Sequence, residues 1–222
     1  FRSFSRMTSA QRDAALASGG IAFAVGDWLA SRFNLPSVDV PDLEGMEPEA
    51  AADLVRAKWA LGMLPIKNVV HLLESRGVRV FSLVEDSREV NAFSSWQGGA
   101  IPYVFLNTVK SSESSRFDAA HELGHLVLHR HGDPKGKEVE QQANEFAYAL
   151  LSPRWLVARA MKTKGWGQTH VHAPGVIYQL SLRLGISYKA MVWRLARLKV
   201  LSQGTAQTIA ELQPKALTES VW

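Results

Sequence analysis

Five consecutive residues, His121-Glu122-Leu123-Gly124-His125, constrain this chain more than any other feature of its sequence. Two histidines four positions apart lie on one face of an α-helix, where their imidazoles can bind the same metal ion. Glu122 lies about 100° around the helix from His121 and is therefore free to act as a base. The apolar residues of the segment fall on the opposite side. We therefore expect a helix that packs against a core and faces a cleft.

The five-residue pattern also arises by chance, and a catalytic zinc site usually takes three protein ligands. His129 lies eight residues after His121, about 12 Å along a helix, which is too far for one ion unless the helix ends early. His131 fits an extended pattern that requires glycine where this chain has Leu128. Glu140, on a separate predicted helix, completes a common arrangement of two histidines and one glutamate. We therefore favour Glu140 as the third ligand.

Other residues bear on the same prediction of a zinc site. The chain contains no cysteine, so a metal must be bound by histidine and carboxylate groups. Asn144 lies four residues after Glu140 on the same helical face, where its amide could hold a ligand in position. His170 and His172, in a glycine-rich loop, could contribute to a second metal site. We favour the interpretation that they are surface residues, because neither has a carboxylate partner in the loop.

Charge is distributed unevenly along the 222 residues, whose formal net charge is +4. Six acidic residues and no basic residue lie between positions 38 and 53. Positions 146–210 contain no acidic residue but nine basic ones: Arg154, Arg159, Lys162, Lys164, Arg183, Lys189, Arg194, Arg197 and Lys199. We expect this acid-free segment to attract an anionic partner, either nucleic acid or an acidic protein surface. No stretch has the roughly 20 apolar residues of a membrane helix and no secretion signal is evident, so we expect a cytoplasmic protein.

Periodicity predicts an α+β chain with a small, mainly antiparallel sheet. The opening segment to about Phe33 has helical spacing, and we expect a helix there. Predicted helices and strands follow at these positions: helices 48–62, 65–77, 112 to about 130 and 137–151, further helices after Pro153 and Pro174, and strands 78–84, 90–94 and 101–106. Pro102 favours an edge position for the third strand. We expect an N-terminal helical segment and linker (1–47), a central domain (48–160) and a C-terminal helical segment (161–222).

Three stretches of the sequence resemble the ImmA/IrrE metallopeptidases: RFDAAHELGHLVLH at 116–129, EQQANEFA at 140–147 and LLSP at 150–153. The family pattern has methionine where this chain has Ser152, a difference that concerns packing. The resemblance extends over about residues 50–200 and implies a zincin-like, gluzincin-type peptidase core. It also implies His121, His125 and Glu140 as zinc ligands and Glu122 as the general base.

The resemblance implies a zinc endopeptidase that cleaves a helix-turn-helix repressor in mobile-element or stress-response regulation. Tyr148 and His129 are both candidates to stabilise the oxyanion, and an edge strand at 101–106 would pair with an extended substrate. Relatives of this long form carry a helix-turn-helix domain before the peptidase. Because the sequence opens at Phe1, we expect that such a domain has been removed.

The sequence after Pro174 predicts two helices joined by a turn at Gly185. It could be a helix-turn-helix that binds nucleic acid, or a helical cap over the core, and we favour the cap. The alternative function is a DNA-binding or partner-binding regulator that uses the peptidase fold as a non-proteolytic sensing or docking module.

Overall fold

The computed structural model describes residues 9–83, 92–107, 109, 111–131, 136–167 and 169–212. In these residues the helices are α1 (Ser9–Arg32), α2 (Pro48–Lys58), α3 (Val69–Ser75), α4 (Ser112–Leu128), α5 (Lys137–Leu151), α6 (Arg154–Thr163), α7 (Pro174–Leu184), α8 (Tyr188–Arg197) and α9 (Gln203–Ala210). The strands are β1 (Arg79–Ser82), β2 (Phe93–Gln97) and β3 (Ile101–Leu106), and a short 3-10 turn spans His170–His172. The α+β fold class predicted from the sequence is confirmed.

The sheet is mixed, with strand order β1-β3-β2. β3 runs parallel to β1, with Arg79 opposite Tyr103, and antiparallel to β2, with Phe93 opposite Phe105. The prediction that 101–106 forms an edge strand is wrong, because β3 lies in the centre. Pro102 is tolerated there because pairing with β1 begins only at Tyr103, so at Pro102 the strand has a neighbour on one side only.

Alternate residues of β3 face two different layers. Tyr103 and Phe105 join an aromatic cluster with α1, in which the Phe23 and Tyr103 ring centroids are 4.6 Å apart. Val104 and Leu106 belong to the main core, which includes the apolar face of α4. The sheet therefore lies between α1 and α4, as the two-residue period of a strand requires.

Most predicted boundaries lie within two residues of the observed ones, but α2 ends at Lys58 and not at Gly62, and β2 extends to Gln97 and not only to Ser94. α3 begins at Val69 and not at Pro65, because the Asn68 side chain accepts a hydrogen bond from the backbone N–H of His71 at 3.1 Å and caps the helix there. The second strand begins at Phe93. The first two residues of its predicted range lie outside the described residues, as does the last residue of the first predicted strand.

α4 and α5 pack closely because Gly124 has no side chain. A Cβ atom at this position would lie 3.2 Å from the Cα and the carbonyl oxygen of Ala143 on α5. The apolar face of α4 is buried, as the sequence predicts, with Leu123, Val127 and their neighbours almost fully covered. This close approach brings the polar residues of α4 opposite those of α5.

The C-terminal helices are packed onto the same core, and the main apolar cluster extends from Val40 to Ile209. Arg194 of α8, which the sequence places on a basic surface, is only 2% exposed. Its guanidinium donates hydrogen bonds to Glu49 at 2.9 Å and to the Ser152 carbonyl at 2.8 Å. The prediction that Arg194 belongs to an exposed basic surface is therefore wrong. In the part of the chain that the structure describes, no helix combines the length and the apolar character needed to cross a membrane.

Candidate metal centre

Three side chains from two helices converge at the open end of the α4–α5 contact. The Nε2 atoms of His121 and His125 are 3.0 Å apart. One carboxylate oxygen of Glu140 lies 3.5 Å from His121 Nε2, and the other lies 3.6 Å from His125 Nε2. Ligand atoms at zinc–ligand distances of about 2.0–2.2 Å on a tetrahedral ion are roughly 3.3–3.6 Å from one another. The two distances to Glu140 lie in this range and the separation of the two Nε2 atoms is slightly shorter, so a small adjustment of the imidazoles lets the donor set fit zinc.

His121 is oriented by Asn144. The Nδ1 atom of His121 lies 3.1 Å from Asn144 Oδ1, an acceptor, so Nδ1 carries the ring proton and donates it. Nε2 is then left with its lone pair directed at the other two ligands. This is the supporting role that the sequence predicts for Asn144, four residues after Glu140 on α5.

His125 is oriented by a chain of two hydrogen bonds that begins on α4 and ends on α5. Its Nδ1 lies 3.1 Å from Nδ1 of His129, and His129 Nε2 lies 2.8 Å from Gln142 Oε1. When His125 Nδ1–H donates to His129 Nδ1, the ring proton of His129 lies on Nε2 and is donated to Gln142 Oε1. Each N–H group in this chain of hydrogen bonds then has an acceptor. This arrangement leaves the proton off His125 Nε2, so its lone pair is directed at His121 Nε2 and Glu140, as a metal ligand requires.

Glu122 lies beside the ligands in a buried position. Its side chain is 2% exposed, and Oε2 accepts a hydrogen bond of 2.7 Å from the Ser94 hydroxyl on β2. Burial raises the pKa of Glu122 to about 7, although the positive field of His121 and the Ser94 hydrogen bond oppose this rise. A carboxyl group with this pKa can accept and release a proton near neutral pH.

Two of the three candidate ligands, His121 and Glu140, line a small cavity of about 140 Å³. Its walls are formed by Ala92, Phe117, Asp118, His121, Glu122, Glu140 and Asn144. Glu122, His121 and Glu140 thus face the same space, where a water molecule and a peptide bond could meet.

The other sequence candidates lie outside this cavity. His131 is an exposed residue whose Nε2 lies 2.6 Å from Asp42, so it does not meet His121 and His125. Tyr148 packs against Phe117, with ring centroids 4.9 Å apart, and is not part of the cavity wall. His170 accepts a hydrogen bond from Gly167 N–H, and neither it nor His172 belongs to a potential metal cluster of the described residues.

Sequence reasoning missed two residues of the site and left the role of a third, His129, open. Ser94 comes from a strand 28 residues before Glu122, and no local pattern connects the two. Gln142 lies two residues from both Glu140 and Asn144 on α5, about 200° around the helix from each, so the helical period does not indicate it. His129 was considered as a ligand or an oxyanion donor, but it lies behind His125, away from the cavity.

Comparison with known proteins agrees with the geometry of the site. A search of curated proteins gives no match. The family model described as the IrrE N-terminal-like domain, peptidase M78, matches residues 73–196, more than half of the chain, and this range includes Ser94 and both helices of the metal centre. The chain therefore belongs to the IrrE N-terminal-like peptidase family, as its resemblance to the ImmA/IrrE metallopeptidases predicts.

Proposed function

We propose that this chain is a zinc-dependent endopeptidase in which His121, His125 and Glu140 bind the metal. The observation that carries the proposal is the convergence of their three donor groups, which lie 3.0–3.6 Å apart. Membership of a peptidase family supports the same chemistry. Among the described residues, the other potential metal-binding cluster consists of Asp42, Glu44 and His131. All three are exposed, and exposed groups of this kind are common without a metal.

Bound zinc would polarise the scissile carbonyl and lower the pKa of a coordinated water molecule towards about 7. Glu122 would accept a proton from the attacking water and deliver it to the leaving amine. The Ser94 hydroxyl fixes one carboxylate oxygen of Glu122, which orients the other oxygen for this transfer. Asn144 and His129 hold the two imidazoles with their Nε2 atoms directed at the same point.

Elemental analysis of purified variants tests the ligand set. His121→Ala, His125→Ala and Glu140→Ala should each reduce the zinc content from one ion per chain to a small fraction. His131→Ala is the matched control and should retain zinc. Loss of zinc from His131→Ala together with full zinc in Glu140→Ala would show that the third ligand is wrong.

Glu122→Gln tests the role of the base separately from metal binding. The variant keeps the size and the hydrogen-bonding capacity of the side chain, so it should retain zinc and fold but lose peptide cleavage. Retained cleavage in this variant would contradict the assignment of Glu122 as base.

We propose a helix-turn-helix repressor as the substrate, cut at one accessible peptide bond, so that its target genes are derepressed. The family resemblance supports this class of substrate, and selectivity requires a docking surface away from the metal. Exposed basic residues of the acid-free segment, such as Arg183 and Lys189, are suited to steer an acidic partner. Arg194 is unsuited to this role because it is buried.

Co-expression with the repressor encoded nearest to the gene tests the substrate. The parent chain should shorten the repressor, Glu122→Gln should leave it intact, and Arg183→Glu with Lys189→Glu should slow cleavage without loss of zinc. An intact repressor that binds the parent chain and Glu122→Gln equally tightly would contradict cleavage and favour a non-proteolytic partner. A salt-dependent shift of labelled DNA by the chain alone would favour the DNA-binding alternative.

A further inference from the structure

A second and larger cavity, of about 530 Å³, lies between α6 and the turn that follows α8. We refer to it as the α6 cavity. Its apolar wall is formed by Val157 and Met161 of α6, Trp166 of the following loop, and Leu198 and Val200 of the turn. None of its lining residues belongs to the metal centre. Its volume lies in the range of sites that bind small molecules.

Both cationic residues of the cavity wall lie on one face of α6. Arg154, Ala158 and Lys162 are spaced four residues apart, so they lie in a row over about 12 Å of helix. Arg154 and Lys162 are exposed, and neither forms an ion pair or a hydrogen bond with another described residue through its side chain. The wall contains no carboxylate, and the sequence has none between Glu145 and Glu211.

Backbone hydrogen bonds fix both sides of the α6 cavity. Gly165 adopts a left-handed conformation with φ +68° and its N–H donates to the Lys162 carbonyl, while Trp166 N–H donates to the Met161 carbonyl at 3.0 Å. On the opposite side Val200 N–H donates to the Leu195 carbonyl at 2.9 Å. The cavity is thus a preformed feature of the fold, which reduces the conformational entropy lost on binding.

We propose that the α6 cavity binds a small molecule with an apolar chain and an anionic head, such as a medium-chain carboxylate. The apolar wall would cover the chain, and Arg154 or Lys162 would pair with the head group. An uncharged or cationic molecule would leave both cations without a partner. This site is independent of the zinc chemistry, so binding is measured directly and does not require peptidase activity.

Isothermal titration of the full chain with decanoate tests the proposal, with decyltrimethylammonium as a probe of similar chain length and opposite charge. We expect decanoate to bind with a Kd between about 10 μM and 1 mM, and the cation to bind at least about tenfold more weakly. A change in tryptophan fluorescence that is lost in Trp166→Phe would locate the ligand. Absence of decanoate binding, or equal binding of the two probes, would overturn the proposal.

Variants distinguish the contribution of charge to decanoate binding from the contribution of cavity shape. Arg154→Gln with Lys162→Gln should weaken decanoate binding about five- to tenfold, and Ala158→Trp should abolish it by filling the cavity. The matched control is Arg159→Gln with Lys164→Gln, two exposed cations of the same segment outside the cavity wall, which should change the Kd less than twofold. An equal loss in the control would show that net charge, and not the α6 cavity, attracts the anion. Unchanged binding in Ala158→Trp would place the ligand elsewhere and overturn the proposal.

Discussion

At the scale of single residues, equal spacing conceals different roles for the histidines of α4. His121, His125 and His129 follow one another at intervals of four, and the sequence alone cannot distinguish a ligand from its support. The structure separates them by the ring nitrogen that each presents. The Nε2 atoms of His121 and His125 face Glu140, while His129 Nδ1 contacts Nδ1 of His125, the ring nitrogen that faces away from Glu140. Spacing and resemblance thus predict the proposed ligand set, whereas the contact of His129 with His125 depends on tertiary packing.

Replacement of His129 tests whether this support matters for metal affinity. His129→Ala removes the acceptor of His125 Nδ1 and the donor to Gln142. Loss of such a partner typically weakens metal binding about 10- to 100-fold. Competition with a chromophoric chelator measures the affinity, and His131→Ala provides a control at an exposed histidine. Unchanged zinc affinity in a folded His129→Ala protein would contradict the supporting role.

The raised pKa of Glu122 predicts a pH-dependent loss of stability in the metal-free protein. The pKa is about 7 in the folded chain and 4.5 as the ordinary value, so below pH 4.5 the group is protonated in both states. As the pH rises towards 7 the unfolded state releases its proton first. The free energy of unfolding then falls by about 1.4 kcal/mol per pH unit, roughly 3 kcal/mol in total.

Urea unfolding of chelator-treated protein at pH 5 and pH 8 measures this effect. Glu122→Gln lacks the titrating group, so the stability of the parent relative to the variant should decline between the two pH values. Other titrating groups are common to both proteins and largely cancel in the difference. A difference that does not change with pH would show that Glu122 titrates near its ordinary value in the folded chain.

At the scale of elements, local signals located the helices better than the strand order. α5 spans the predicted 137–151, and α4 ends two residues before its approximate predicted limit. These helices could be predicted because the signals that define them, such as the apolar period and the Ser111 cap of α4, are local in the sequence. The position of β3 depends on which strands pair across the chain. Pro102 suggested an edge, but β1 begins its pairing one residue later, so a central position costs no hydrogen bond to that neighbour. Only tertiary structure shows this register.

Close packing of α4 on α5 predicts a cost for any side chain at Gly124. In Gly124→Val, the new Cβ would meet the Ala143 backbone at 3.2 Å. Overpacking of this kind typically costs about 1–3 kcal/mol, and separation of the helices should also weaken zinc binding because Glu140 lies on α5. Gly204→Val in α9 is the matched control, since a Cβ there has no atom within 4 Å. Equal stability of the two variants in urea would contradict the close contact.

At the scale of the whole molecule, charge composition indicated the basic surface with one exception: eight of the nine basic residues of the acid-free segment are exposed, and Arg194 is buried. The sequence correctly indicates a segment without acidic residues, but it does not show which of the basic residues are exposed. Arg197 pairs with Glu145, and Arg194 is buried against Glu49 of α2 and the backbone after α5. α8 buries most of its residues, which leaves little surface for reading DNA and favours the helical cap. The division of the chain into an N-terminal segment (1–47), a central domain (48–160) and a C-terminal segment (161–222) stays a prediction.

Substitution of Arg194 tests whether the C-terminal helices unfold together with the peptidase core. Arg194→Ala removes its hydrogen bonds to Ser152 and Glu49 and leaves a cavity in a buried contact, at a cost on the order of 3 kcal/mol. Because the main apolar cluster is continuous from α2 to α9, we expect one cooperative urea transition that shifts as a whole. Lys189→Ala, at an exposed position of the same helix, should change stability by no more than about 0.5 kcal/mol. Two separate transitions, of which only one responds to Arg194→Ala, would instead show that the helices after residue 160 form an independent unit.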